Sequence, residues 1–317
     1  NQTISDFELI IINDNSTDNS LNIIKKIEKE YSNFQIKIIH NKYNIGLSKS
    51  LNKAFKKSKG EFIARMDSDD IASPDRLEKQ LNFLIKHPDV GLVGSNSVIV
   101  DKNKKKINYT DYPLNDIDIR AHIFFHNPIN HPSILFRKKL FRSSPYSTKY
   151  KTTQDYYFYY CLMSQTKLAN IKDYLMTQRI HSDSVSFKYK KIQLTNTLKI
   201  QQEYYLSIIK KKFDHQKFFI LNKYFLSDKD AFLKDRINIA SACLEVLDLY
   251  KNIQIFTKNK SIEKFFLKKF IIHFSSSIGT KNSLNFLFKL FINFKLINIL
   301  NIILFLLFSK IKKCVRY

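Results

Sequence analysis

Short apolar runs and stretches with an apolar residue every three to four positions take turns through the first part of the chain, a pattern that predicts strands alternating with amphipathic helices. Phe7 to Ile12 is nearly continuous in apolar residues, as a strand covered on both faces requires, and it ends in the polar stretch Asn13 to Asp18. A helix is predicted from Asn19 to about Tyr31, with Leu21, Ile24 and Ile27 on one stripe and Ser16 or Thr17 as its cap. Ile36 to Ile39 reads as a second strand, and Leu47 to Ser58 as a basic helix with Leu47, Leu51 and Phe55 facing inward. Phe62 to Met66 reads as a third strand that breaks into the acidic turn Asp67-Ser68-Asp69-Asp70, and Ser73-Pro74-Asp75 starts a helix to His87. Further strands are predicted at Val90–Val100, Ser133–Phe136 and Ile171–Ile180, with an aromatic helix from Tyr156 to Ser164 headed by Thr152-Thr153-Gln154-Asp155.

Such alternation predicts an α/β domain, Rossmann-like with a mostly parallel sheet, over residues 1–187. In sheets of this kind ligands sit beyond the carboxyl ends of the strands. Asp14 and the pair Asp67 and Asp69 both fall at such ends. Asp67 and Asp69 are two apart, so extended backbone would send both carboxylates to one side, where they could hold a hard cation against a phosphate. The same four residues also suit a plain turn with a helix cap.

From residue 188 to 317 the alternation stops and only helical patterning remains. The segment 188–223 carries nine lysines, and residues 281–317 carry seven basic residues and no acid. Leu296 to Phe308, thirteen residues, is apolar apart from Asn298 and Asn301 and is followed by Lys310, Lys312, Lys313 and Arg316. A bilayer-spanning helix needs about 20 residues. The run therefore reads as a helix lying in the membrane interface, or as a buried helix hairpin.

Composition narrows the class. Among 317 residues, 53 are basic and 28 acidic, a net charge of +25, which points to an anionic partner; Lys, Asn, Ile, Phe and Tyr are abundant together, so compositional bias contributes to this excess. No helix-turn-helix, zinc-finger or RNA-binding aromatic signature accompanies the charge, which argues against nucleic acid. Cys161, Cys243 and Cys314 are far apart, so neither a zinc site nor a disulfide framework is indicated and a reducing cytoplasm fits.

Taken together, Ile10 to Asp18, Asn44-Ile45-Gly46-Leu47, Gly60 to Arg76, His131-Pro132-Ser133, Gln154-Asp155 and Arg179-Ile180-His181 resemble the family 2 glycosyltransferases of GT-A fold, in order and spacing, over about residues 1–187. The resemblance implies that Asp14 hydrogen-bonds the base of a nucleotide sugar, with uracil the expected base. It implies that Asp67 and Asp69 are the D-x-D pair that holds Mg or Mn against the donor diphosphate, Asp67 lying on the nucleotide side. Asp155 matches the catalytic base, and His181, in the Arg179-x-His element, matches a contact to the metal or diphosphate. His131 reads mainly as loop packing. The expected activity is an inverting, metal-dependent transfer from a UDP-sugar to a saccharide or lipid-linked acceptor in cell-surface polysaccharide synthesis. The expected place is the cytoplasm, peripheral on the inner face of the plasma membrane. The competing class is a non-catalytic basic module for anionic lipid or nucleic acid.

Two positions depart from the family pattern, which usually has Asp at Asn13 and Glu at Gln154. Members also begin with an apolar strand and helix ahead of the position of Asn1, the strand lying between those that end at Asp14 and Asp67. The resemblance therefore implies a gap in the sheet there and an unstable or inactive chain as written.

Overall fold

The computed structural model describes residues 1–123, 126–180 and 189–209; His181 and the apolar run 296–308 lie outside them. Residues 1–123 and 127–200 form one compact unit, and 124–126 with 201–317 a second. Every strand described belongs to the first.

The strands and helices follow the apolar pattern closely. β1 (Leu9–Asn13), α1 (Ser20–Glu30) and β2 (Ile36–His40) make a crossover that returns β2 parallel to β1, Ile11 beside Ile38. α2 (Leu47–Lys57) then leads to β3 (Phe62–Ala64), β4 (Ile71–Ala72) and α3 (Arg76–Lys86). β5 (Val90–Val100) is buried along nearly its whole length, which is why its sequence is continuous in apolar and small residues. β6 (Lys106–Tyr109), α4 (Asp116–His122), β7 (Leu135–Arg137), α5 (Gln154–Met163), β8 (Lys167–Arg179) and α6 (Lys190–Ile209) complete the order.

The main sheet has six described strands, running β3-β7-β5-β8-β4 with β6 also on β5, while β1 and β2 form a separate two-stranded sheet. The α/β class stands, but the pairing is mixed. Among the described strands only β1 with β2 and β5 with β8 are parallel, and the other four pairs are antiparallel. For β6 the reason is in the connection: it returns from β5 through the tight turn at Asp101–Lys105, with no crossover, and so runs antiparallel.

The start of α1 differs from the sequence reading. Neither Ser16 nor Thr17 caps it; Asn13 Oδ1 accepts from Ser16 N (3.0 Å), Asn15 turns through φ 60°, and the helix begins after Asn19. The polar stretch folds on itself first, as Asn side chains favour.

A buried polar seam under the sheet fixes the backbone on which the acidic turn is built. Arg76, 2% exposed, donates from Nη2 to Arg65 O (2.7 Å) and Ile134 O (3.3 Å) and from Nε to Gln80 Oε1 (3.1 Å). Gln80 Nε2 in turn donates to Ser133 O (2.7 Å) and Val93 O (3.2 Å). Burial, with the charge of Arg65 adding, pulls Arg76 down to about 10, which still leaves it cationic at neutral pH. One side chain thus pins the backbone at the end of β3 and the approach to β7.

The turn before α2 depends on Gly46, whose φ of 84° and ψ of 160° lie in a region open essentially to glycine alone. A Cβ there would meet nothing within 4 Å, so the constraint is backbone strain alone. Gly46→Ala is expected to cost about 1–3 kcal/mol, seen as a lower melting temperature, and an unchanged melt would refute that reading.

Candidate active site

Asp14 stands at the end of β1, where its carboxylate gathers the loop that leads into α2. Its Oδ1 accepts from Asn41 Nδ2 (2.8 Å) and Ile45 N (2.9 Å), and its Oδ2 from Gly46 N (2.9 Å), the residue heading α2. These bonds outweigh the upward push of burial and hold the carboxyl below its ordinary range. Asn41 is fixed from its other side by Lys53 Nζ (2.6 Å). Sequence reasoning singled out Asp14 as a nucleobase contact; the structure shows three of its acceptor positions already engaged in shaping the 41–46 loop.

The acidic corner comes directly after β3. One oxygen from each of Asp67, Asp69 and Asp70 lies within 4.8 Å of the other two. Asp67 is partly exposed and is gripped through both its oxygens by Arg65, with Nη1 donating to Oδ2 (2.8 Å) and Nη2 to Oδ1. Burial raises Asp67, the Arg65 charge opposes it, and Asp69 adds to the rise. Asp70, 7% exposed, accepts Arg179 N on Oδ1 (3.1 Å), while its Oδ2 is buried with no partner among the described residues. Burial and then its acidic neighbours push Asp70 up to about 6, against the pull of the Arg179 N–H. Three hard oxygen donors and one buried, unpartnered carboxylate oxygen fit a small divalent cation such as Mg or Mn. Arg179 takes part through its backbone, tying the end of β8 to Asp70.

Asp155 sits in the first turn of α5 after a strained approach, Thr152 having φ 72°, which a β-branched residue adopts only when its surroundings force it. Its Oδ2 accepts from Asn127 Nδ2 (2.7 Å). Loss of water raises the Asp155 carboxyl; the Tyr156 N–H, the Arg65 charge and Asn127 each oppose that rise. Asn127 is placed by the polar middle of β5 and β8: Asn130 Nδ2 donates to Ser97 Oγ (2.6 Å) and Asn170 Nδ2 to Pro128 O (3.0 Å).

His131 packs as expected of a loop residue. It is buried, its Nε2 pairs with Tyr146 Oη (3.1 Å), and burial followed by the Arg65 charge keeps it neutral. The residues that sequence reasoning passed over are Arg65, Asp70 and Asn127. Arg65 did leave a signal: an arginine interrupting an apolar strand is a charge where a core residue belongs.

The mixed α/β sheet thus carries an acidic corner at a strand end and a second carboxylate at a helix start. The chain belongs to glycosyl transferase family 2, whose model matches residues 1–172. It is similar to an uncharacterized glycosyltransferase of Haemophilus influenzae, 34% identical over 66% of this chain and 68% of the relative. It also resembles the amylovoran biosynthesis glycosyltransferase AmsE of Erwinia amylovora, 32% identical over 58% of this chain and 69% of the relative. The O-antigen biosynthesis glycosyltransferase WbnJ of Escherichia coli is likewise 32% identical, over 58% and 72%. Among solved structures, S. aureus TarS 1–349 in complex with UDP-GlcNAc superposes with a TM-score of 0.54 over 90% of this chain and 82% of that one, at 15% identity, a likeness of fold.

Proposed function

We propose that this glycosyltransferase is an inverting enzyme that takes a hexosyl group from a UDP-sugar, with Mn or Mg bound at the acidic corner, and passes it to a saccharide or lipid-linked acceptor of a cell-surface polysaccharide. The observation that carries this reading is the convergence of Asp67, Asp69 and Asp70 within 4.8 Å, with one buried carboxylate oxygen unpartnered. The bound UDP-GlcNAc of TarS supports the donor class, and the polysaccharide roles of AmsE and WbnJ support the acceptor class.

Asp67, Asp69 and Asp70 would hold the cation, which when bound neutralises charge on the departing diphosphate. Asp155 accepts the acceptor's hydroxyl proton as that oxygen bonds the anomeric carbon and the carbon–phosphate-oxygen bond breaks. One displacement of this kind inverts the anomeric centre. Asn127 fixes the base, and Asp14 shapes the 41–46 loop, leaving its remaining lone pairs for a nucleobase. The basic C-terminal run supports a place at the cytoplasmic face of a membrane.

Calorimetric titration with UDP, with and without manganese chloride, tests the donor site. Binding that requires manganese and weakens at least tenfold in Asp69→Ala is expected, since loss of one hard ligand removes more than about 1.4 kcal/mol. Equal binding by both proteins would sink the assignment.

A further inference from the structure

Arg65 lies at the centre of the charge network, yet the transfer reaction assigns it no role. Its backbone is held on both sides, N donating to Ile134 O (3.0 Å) and O accepting from Arg76 Nη2 (2.7 Å), so the side chain leaves the end of β3 in a fixed direction. The side chain is 6% exposed. Its guanidinium spends two N–H groups on the two oxygens of Asp67, and its Nε is buried with no partner among the described residues.

The groups around Arg65 feel its charge. It opposes the rise of Asp155 and of Asp67, and it lowers His131. The same charge reaches Tyr146 and Tyr159. Burial raises those two tyrosines and Tyr112, and the Asp155 charge adds to the rise of each. Asn127 bonds Asp155 but carries no charge.

Resting on the glycosyltransferase reading above, we propose that Arg65 is a positioning residue: its fork, aimed by the pinned backbone at the end of β3, orients the Asp67 carboxylate at the acidic corner. A carboxylate offers about four lone-pair positions, and the fork uses two, so Asp67 is oriented without being blocked. Planar bidentate geometry requires arginine, since lysine supplies charge without the fork.

Fork and charge separate in two variants. Arg65→Lys keeps the charge and loses the fork; Arg65→Met loses both. Manganese-dependent UDP affinity is expected to fall about 10-fold to 100-fold in each, the range for losing charge-assisted hydrogen bonds. Carbon-13 titration of aspartate-labelled protein without donor, with the Asp155 signal assigned by Asp155→Asn, reads the charge, which opposes the rise of Asp155. The Asp155 transition is expected to move further up in Arg65→Met and to stay close to wild type in Arg65→Lys. Folded variants with UDP affinity within twofold of wild type and an unmoved Asp155 transition would overturn the proposal. Failure of both variants to fold would assign Arg65 to the fold instead and equally overturn it. Absence of UDP binding by wild type would sink the donor reading instead, while the carbon-13 titration, which needs no donor, would still decide the charge role of Arg65.

Discussion

Asp155→Asn is expected to lower glycosyl transfer by about 10²- to 10⁴-fold, the range for removing a positioned general base, while UDP binding stays within a few-fold of wild type. The substitution keeps an oxygen for the Asn127 N–H and a near-identical shape, so loss of the proton acceptor is the main change. In wild type the carboxyl is raised by burial, so the acid limb of the rate profile is expected above the range of a free aspartate. Activity should fall as pH drops through that raised value, because the protonated acid cannot take the acceptor's proton. Initial rates of UDP release from a UDP-sugar, across pH and with acceptor present, measure both effects. A variant retaining more than a tenth of wild-type rate would remove Asp155 from the role of base.

The second large effect is on stability, and it has the opposite sign. Asp70→Asn is expected to stabilise the cation-free protein at neutral pH by up to about 3 kcal/mol, since a rise from 3.8 to about 6 is worth roughly 1.4 kcal/mol per unit. The folded state holds the Asp70 proton more tightly than the unfolded chain, so this group favours folding fully below 3.8, and that contribution is lost as pH rises through about 6. Asparagine keeps an acceptor for Arg179 N without the charge. Melting in chelator should therefore show a gain on the order of 5 °C at pH 7 to 8, shrinking as pH falls through about 6. A gain that persists unchanged at lower pH, or a loss at pH 7, would show that Asp70 is not held in an unfavourable ionised state. Carboxylates crowded for ligand binding commonly weaken the fold that carries them.

How much was legible beforehand depended on how each element earns its place. β5 was read to its ends because a strand buried on both faces must be apolar throughout. β6 escapes the pattern because it has only four residues, all exposed: Ile107 and Tyr109 alternate with Lys106 and Asn108, but over too short a stretch for a period to stand out. β4 has two residues and α4 seven, too few for a period to show. At the site, the paired spacing of Asp67 and Asp69 was visible, but the contribution of Asp70 was not, because its role comes from a backbone N–H on β8, 109 positions away. The fork of Arg65 on Asp67 spans two positions, yet it depends on the seam from Arg76 that aims it.

The seam that runs from Arg76 through Gln80 to Ser133 O and Val93 O has a further consequence. It ties the backbone on which the acidic corner is built to β5, the strand buried along nearly its whole length. Opening the corner therefore means opening the core, and amide exchange at the seam is expected to report global rather than local unfolding.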